Sequence, residues 1–134
     1  MNGNDFIRIT NQAFVPFLKD LGFVVEAPLV SGRYYRVNFT RNDYVISVSY
    51  EPGDEVLFVI IFSCEDGELS NIDDRIKTPR LADLNREYMP IITDTEHIEN
   101  CKRFESVIVN DKEESLLLKA AKELCLVLPK YLCS

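Results

Sequence analysis

Carboxylates are the side chains in this sequence that could do most chemistry, and eight of them fall in one short stretch. No lysine or arginine lies between residues 51 and 74, whereas the rest of the chain is almost neutral, so this block accounts for the net charge of −7. Carboxylates can hold a hard metal cation, act as an acid–base pair or attract a cationic partner. The eight acids are Glu51, Asp54, Glu55, Glu65, Asp66, Glu68, Asp73 and Asp74.

The spacing of these residues does not fit a known metal-binding pattern. The stretch DGELSNIDD, which begins at Asp66, lacks the alternating ligands, glycine and final glutamate of an EF-hand loop. His97 and Cys101 are four residues apart and could face one zinc ion from a helix, but zinc sites normally show two such short spacings. A surface histidine and a core-facing cysteine are favoured instead. The sequence therefore predicts no metal and no cofactor.

Catalytic arrangements are equally sparse. His97 is the only histidine, so any Ser–His or Cys–His mechanism would have to use it. Cys64 is followed by Glu65 and Asp66, whose negative charges would raise the pKa of a thiol and reduce its reactivity. No GxSxG, Walker A, GxGxxG or HExxH motif occurs. We predict that the protein is not an enzyme, with a small enzyme using His97 or Cys64 as an alternative.

Length and composition indicate one globular domain covering residues 1–134. The chain is 46% apolar and 28% charged, which is ordinary for a folded domain. The N-terminus lacks the pattern of a signal peptide, and the longest apolar run, Val56 to Phe62, is too short to cross a bilayer. We therefore expect a soluble, cytoplasmic protein. Its acidic character argues against nucleic acid and anionic membranes as partners.

The four cysteines are expected to be reduced. There is no CxxC pair and no sign of secretion, so a disulfide framework is not indicated. Cys101 and Cys125 are predicted to be buried as small apolar residues. The other two cysteines are Cys64 and Cys133.

The first half of the chain predicts a helix and four strands. Apolar spacing indicates a helix over Asp5–Leu21 that is kinked or restarts near Phe14 because of Pro16, and Gly22 is expected to end it. Alternation and turn residues then predict an antiparallel meander. Its strands are Phe23–Val30, Arg33–Thr40, Tyr44–Tyr50 and Glu55–Ser63. The last of these is apolar on both faces and is predicted to be central or covered by helices.

The second half predicts a loop and three helices. Glu65–Lys77 is polar and is expected to be a loop, after which Thr78-Pro79 would open a short helix. Thr93 and Glu96 form a capping box for the next helix, with Ile98, Cys101, Phe104 and Ile108 as its buried face.

The last helix is predicted to run from near Asp111 to Pro129. Its buried stripe would contain Leu117, Ala121, Leu124 and Leu128, widened by Leu116, Ala120 and Val127. Strands followed by helices predict an α+β fold, with an antiparallel sheet of about four strands packed against an N-terminal helix and two to three C-terminal helices.

These elements place the acids at strand ends. Glu51, Asp54 and Glu55 flank the Pro52-Gly53 turn, whereas the other five acids follow the last strand, so they form one patch only if the loop folds back. Tyr34 lies beside Arg36 and is expected to be exposed as a partner-binding aromatic residue, whereas Tyr44 and Tyr50 belong to the core. We predict that the eight acids and Tyr34 form a surface that binds a basic protein.

The hairpin VISVSYEPGDEVLFVIIF followed by EDGELSNIDD, in a small acidic α+β chain without catalytic motifs, resembles bacterial immunity proteins of contact-dependent and polymorphic toxin systems. The resemblance covers the overall build and the acidic segment. It implies tight binding to a cognate toxin domain, such as a basic nuclease, by a protein that is a monomer before the complex forms.

The chaperones of bacterial secretion systems offer a second resemblance. They are also small, acidic and contain helices and strands, but they are usually dimeric and interleave the two types of element along the chain. Here the strands precede most helices. A chaperone-like homodimer that binds an effector is therefore the alternative reading.

Overall fold

The structure is a computed structural model that describes residues 1–134 as five α-helices and six β-strands. The helices are α1 (Gly3–Ala13), α2 (Val15–Asp20), α3 (Leu81–Tyr88), α4 (Asp94–Phe104) and α5 (Lys112–Leu132). The strands are β1 (Val24–Val25), β2 (Leu29–Val30), β3 (Tyr35–Thr40), β4 (Tyr44–Glu51), β5 (Val56–Glu65) and β6 (Glu68–Leu69). None of the helices has the length and apolar character needed to pass through a bilayer.

The strands form an antiparallel sheet with β3, β4 and β5 at its centre. Both β1 and β2 pair with β3, and β6 folds back on the end of β5. Tyr35 of β3 lies opposite Tyr50 of β4, and Glu51 of β4 lies opposite Val56 of β5. The predicted meander and the α+β class are confirmed. Three of the six strands contain only two residues each.

The helices cover one face of this sheet, which we call the inner face. Its side chains are buried: Tyr35, Val37, Phe39, Ile46, Val48, Tyr50, Val59 and Ile61. They pack with apolar residues of α1 and α5, including Phe6, Ile9, Leu117 and Leu124, in a single core cluster. Each such side chain stabilises the fold by about 1.5–3 kcal/mol when it leaves water, so this burial fixes which face of the sheet the helices take.

The break in the N-terminal helix is where the sequence placed it. α1 ends at Ala13 and α2 restarts at Val15, with Phe14 between them. Pro16 lies in the first turn of α2, where its missing N–H costs no helical hydrogen bond. Gly22 follows α2 with a φ of 91°, a left-handed conformation that glycine adopts without strain.

The predicted strand Phe23–Val30 is wrong as a single element. Only Val24–Val25 and Leu29–Val30 pair with β3, and the chain leaves the sheet between them. Pro28 lies in this gap, where it has no N–H to donate to a ladder. The N–H of Glu26 still donates to the carbonyl of Asn38 at 2.9 Å, so the two short strands are joined by a bulge along one sheet edge.

The predicted helix start at Thr78-Pro79 is also wrong. These two residues are buried and extended beside β5, where the N–H of Ile61 donates to the carbonyl of Pro79 at 2.9 Å. α3 begins three residues later than Thr78, and the carboxylate of Asp83 accepts a hydrogen bond from the N–H of Arg80. Pairing with the sheet edge therefore outweighs the local capping signal.

α4 begins at the predicted capping box but turns a different face to the core. Thr93 and Glu96 exchange the two capping hydrogen bonds at 3.2 and 3.0 Å. Of the predicted buried face, only Phe104 is buried; Ile98 is 57% exposed, Cys101 and Ile108 are exposed, and Ile108 lies beyond the end of the helix. Asn100 is buried instead, because its amide donates to the carbonyl of Lys122 in α5 at 3.0 Å.

α5 begins after Asp111 as predicted but does not stop at Pro129. It continues to Leu132, so Pro129 lies inside its last turns. The predicted stripe of apolar residues is buried with one exception: Leu116 is 41% exposed. Leu116, at the edge of the predicted stripe, therefore marks the boundary between the buried and the exposed side of α5.

One polar contact joins α5 to the sheet. The hydroxyl of buried Tyr50 donates to the carboxylate of Glu113, which also accepts a hydrogen bond at 2.7 Å from the amino group of Met1. These two bonds, that from Met1 first, hold the pKa of Glu113 below its usual value. Burial, and then the bond to Glu113, raise the pKa of Tyr50 well above that of a free tyrosine.

Tyr50→Phe should therefore lower the free energy of unfolding by about 1.5–3 kcal/mol at neutral pH, the usual worth of a hydrogen bond to a charged group. The difference from wild type should shrink as pH falls from about 4.3, the unfolded value, through the lowered pKa of folded Glu113, because the carboxylate that accepts the bond is then lost. It should also shrink as pH rises above about 10, because the unfolded Tyr50 then ionises. Burial also raises the pKa of Tyr131, to about 12. Its contribution to the pH dependence is the same in both proteins and cancels in their difference.

Urea unfolding of both proteins across this pH range measures the difference. Tyr34→Phe is the matched control, since Tyr34 is only half-buried and lies outside the core. A difference between wild type and Tyr50→Phe that stays constant at every pH would contradict the assignment.

Candidate functional site

The second face of the sheet, the outer face, has no helix packed on it. Because side chains alternate along a strand, the residues of β5 that face outward are those between the buried ones, and they are mainly apolar: Val56, Phe58, Ile60 and Phe62. Phe58 is 42% exposed. The sequence predicts that β5 is central or covered by helices; it lies between β4 and β6 in the sheet order, and helices cover only its inner face.

The neighbouring strands extend the outer face. By register, Val45, Ser47 and Ser49 of β4 lie beside the outward residues of β5, and Arg36, Asn38 and Thr40 of β3 lie beyond them. Val24, Leu29 and Leu69 from the short strands fall on the same face and are exposed. Four of the twelve exposed large apolar residues of the chain therefore lie on this face, whereas Val25 and Val30 of the same short strands are exposed on the other face. The outward row on β5 joins these four into a patch, and a contiguous apolar patch is typical of an interaction surface.

Tyr34 lies at the edge of this outer face. It precedes β3, its side chain is half-buried, and the guanidinium of Arg36 lies 5.8 Å from the centre of its ring. Tyr44 packs edge-on against Tyr131 at 5.8 Å on the inner side, and Tyr50 is buried. Tyr50 therefore belongs to the core as predicted, and Tyr44 packs against the core while only partly buried. Tyr34, predicted to be exposed, is half-buried.

The first acidic cluster is at the turn between β4 and β5. Glu51 ends β4 and by register lies on the outer face opposite Val56. Asp54 and Glu55 are exposed in the turn itself, and Glu55 has a φ of 51°. Three carboxylates therefore lie at one end of the apolar outer face of β5.

The second acidic cluster is at the opposite end, on a hairpin. The predicted loop Glu65–Lys77 begins with a tight turn, Asp66-Gly67, in which both residues have positive φ, and Glu65 then pairs with Glu68. Asp-Gly between extended segments is a strong hairpin signal. That signal was present in the sequence and would have identified β6.

The two clusters are separate patches. β5 contains ten residues, so its ends lie about 30 Å apart. The chain after β6 runs beside the second half of β5, as far as the bridge between Ile60 and Arg80, and does not return to the first cluster. The second cluster also has a cation that its sequence block lacks: Lys77 shares a surface cavity with Glu65, Asp66 and Glu68.

Asp73 and Asp74 play different roles. Asp73 is exposed. The carboxylate of Asp74 accepts hydrogen bonds from the N–H groups of Ile76 and Lys77 at 3.1 and 3.2 Å, and its carbonyl accepts one from Thr78 at 2.8 Å. Asp74 therefore holds the loop together, and its carboxylate is partly occupied by the chain itself.

The cysteines and the histidine do not converge on a reactive centre. His97 and Cys101 are both exposed on α4, so the prediction that Cys101 is buried is wrong. Cys125 is half-buried, and burial raises the pKa of its thiol. Cys64 is half-buried at the end of β5. No three histidine, cysteine or acidic side chains come together as metal ligands, and the four thiols are free.

Comparison of this chain with protein families, characterised proteins and solved structures found no match.

A buried threonine fixes the second cluster relative to the sheet. The hydroxyl of Thr78 donates to the carbonyl of Asn71 at 2.7 Å and contacts the hydroxyl of Ser70 at 2.5 Å. The N–H of Ser63 in β5 donates to the same Ser70 hydroxyl at 3.1 Å. Since Thr78 is fully buried, these bonds are shielded from water and tie the segment after β6 to the strand.

Thr78→Val should cost about 1–3 kcal/mol of stability, because it keeps the shape but leaves Ser70 and Asn71 without their buried partner. Thr95→Val, at an exposed position in the first turn of α4, is the control. Urea unfolding gives the stabilities, and amide hydrogen exchange of residues 63–78 should accelerate in Thr78→Val alone. Equal stability and exchange in the two variants would show that Thr78 does not hold this segment.

Proposed function

We propose that this chain is a non-catalytic protein-binding module of the bacterial cytoplasm that neutralises a basic partner, such as the nuclease-like domain of a cognate toxin. The observation that carries the proposal is the outer face: apolar side chains of β5 lie between two acidic clusters, with no helix over them. A partner with basic residues around an apolar centre matches this arrangement in both charge and polarity.

The apolar part of this surface would supply most of the affinity. Protein interfaces gain binding energy from a desolvated centre, whereas charges at the rim mainly guide the encounter. Phe58, Ile60 and Phe62 lie in a row along the strand and could form such a centre. Tyr34 with Arg36 stands at the β3 side of the face and adds an aromatic residue to its rim.

The acidic clusters would supply the selectivity for a basic partner. Nuclease domains hold phosphate with lysines and arginines, and carboxylates can occupy the same cations. Glu65, Asp66 and Glu68 are exposed at one end of the surface. At the other end Asp54 and Glu55 are exposed and Glu51 is half-buried. Because the ends are about 30 Å apart, the partner would have to span the sheet to contact both.

The test begins with the protein encoded beside this chain. That protein, produced separately, should bind the chain at one-to-one stoichiometry and lose its own activity in the complex. A neighbouring protein that does not bind, or that binds and stays active, would overturn neutralisation as the function.

The contribution of the second cluster can be tested by charge reversal. Glu65→Lys combined with Glu68→Lys should slow association by about tenfold at low salt and flatten its salt dependence, because rim charges act on the encounter. The pair keeps like charges opposite one another across the hairpin, but both new lysines share a cavity with Lys77, so urea unfolding must first show wild-type stability. Stopped-flow mixing with the partner at several salt concentrations measures the rates.

The control makes the same change in net charge elsewhere. Glu99→Lys with Glu105→Lys alters two exposed acids on and just after α4, away from the sheet. Equal slowing in the control and the hairpin variant would mean that total charge alone guides the encounter, and the hairpin would be removed from the interface.

A further inference from the structure

The first half of β5 has an unpaired edge. In an antiparallel strand, alternate residues direct their N–H and C=O groups to opposite sides. The N–H of Cys64 donates to Asp43 on the β4 side, whereas the N–H of Ile61 donates outward to Pro79. By this alternation, the backbone groups of Leu57 and Val59 point away from β4, toward the outer edge of the sheet.

No strand covers this edge between Val56 and Val59. The last partner along it is the bridge between Ile60 and Arg80, after which the chain enters α3. The edge opens instead onto a groove of about 410 Å³ between β5, α3 and α5. Leu57, Phe58 and Val59 form the strand side of the groove, and Leu116 and Ala120 form the α5 side.

This edge lacks the features that normally protect a sheet from pairing with another chain. Proteins place charges, prolines or bulges on exposed edges to prevent such contacts. The segment Val56–Val59 has the sequence VLFV and contains none of them. Phe58 and Leu116, at the two rims of the groove, are 42% and 41% exposed. An extended apolar segment would therefore complete both the hydrogen bonds and the apolar contacts.

The two ends of the edge carry charges of opposite sign. Asp54 and Glu55 immediately precede the open segment, whereas Arg80 bridges its far end. Arg75 lines the groove there, with its guanidinium 2.8 Å from the carboxylate of Asp83 and its side chain 56% exposed. Lys119 and Glu123, one of each sign, are the charged residues that α5 adds. A strand running antiparallel to β5, with acids before its apolar residues, would place those acids beside Arg75 and Arg80.

We propose that the occupant of this groove is a second copy of the chain, paired through β5 about a two-fold axis at Leu57, which leaves Ile60 and its bridge to Arg80 outside the paired segment. An interface about a two-fold axis must be self-complementary, because each patch meets its own copy. The segment Asp54–Val59 meets this requirement: its acids reach the arginines of the other copy, and its free N–H and C=O groups pair with their equivalents. The two sheets would become one continuous sheet.

This dimer goes beyond the proposed function and is separable from it. Pairing at the edge leaves both outer faces uncovered on the joined sheet, together with Glu51 and the hairpin acids of each copy. It uses Asp54 and Glu55, so in the dimer those two acids contact the other copy, and Glu51 is the acid of the first cluster that stays available to a basic partner. A chain that dimerises but binds no basic partner would support the dimer and contradict the proposed function. A chain that binds a basic partner but stays monomeric would do the reverse.

Sedimentation equilibrium of the full chain, from about 1 to about 200 μM, tests the proposal directly. Wild type is expected to reach twice the chain mass within this range. Leu57→Pro should remain a monomer, because it removes an outward N–H that β4 does not use. Leu57→Ala keeps that N–H and should still dimerise. A wild-type chain that is monomeric throughout would overturn the proposal.

A charge exchange provides a second test that does not alter the strand backbone. Glu55→Lys and Arg75→Glu should each dimerise at least about tenfold more weakly, since like charges then face each other at both ends of the interface. An equimolar mixture of the two variants should regain the dimer mass, because the mixed pair restores opposite charges. Arg75→Glu loses the ion pair with Asp83, so urea unfolding must first show that this variant is folded. A mixture of folded variants no better than either alone would overturn the two-fold arrangement.

Discussion

The constraint on which this structure depends is that its helices pack on one face of the sheet only. α1 and α5 bury the inward side chains of β3, β4 and β5, and the free energy of that burial fixes the register of the strands, since a shift of one residue would exchange the two faces. The remaining face is then determined as well. β5 is apolar on both sides, so the register that buries Val59 and Ile61 necessarily leaves Phe58, Ile60 and Phe62 outward. Six of the eight acids lie at or beside the two ends of this strand, whereas Asp73 and Asp74 lie in the loop after β6.

The same strand is exposed at its edge as well as on its outer face. The segment after β6 pairs with β5 only as far as Arg80, because the chain then turns into α3. Thr78 anchors that segment through Ser70 and Asn71, so the covered part of the edge is held in place, whereas Val56–Val59 pairs with β4 on one side and with no strand on the other. A strand with an open edge and an open apolar face is unusual in an isolated chain, since both features expose groups that gain free energy by contact. The two proposals assign a different occupant to each feature: a basic partner on the face, and a second copy at the edge.

The sequence predicted most of what depends on local patterns. The helix break at Phe14, the three long strands, the capping box at Thr93 and the start of α5 at Asp111 follow from periodicity and capping chemistry within a few residues. The errors arise where a long-range contact competes with a local signal. Thr78-Pro79 resembles a helix start but is drawn along the edge of β5, and α4 is rotated because Asn100 reaches a carbonyl of α5. The eight acids were identified as a site candidate from composition, but their separation into two patches, and the structural use of Asp74, required the fold.

Carboxyl footprinting tests the central claim most directly. The free chain and its complex with the protein encoded beside it would be labelled at exposed aspartates and glutamates, and the labelled sites would be located by mass spectrometry. If the outer face and its acidic ends form the docking surface, Glu51, Glu65, Asp66 and Glu68 should lose labelling in the complex, whereas Glu99 and Glu105, on and just after α4, should not change. Loss of labelling at Glu99 and Glu105 with none at the ends of β5 would contradict the account, because the partner would then bind the helical side of the molecule.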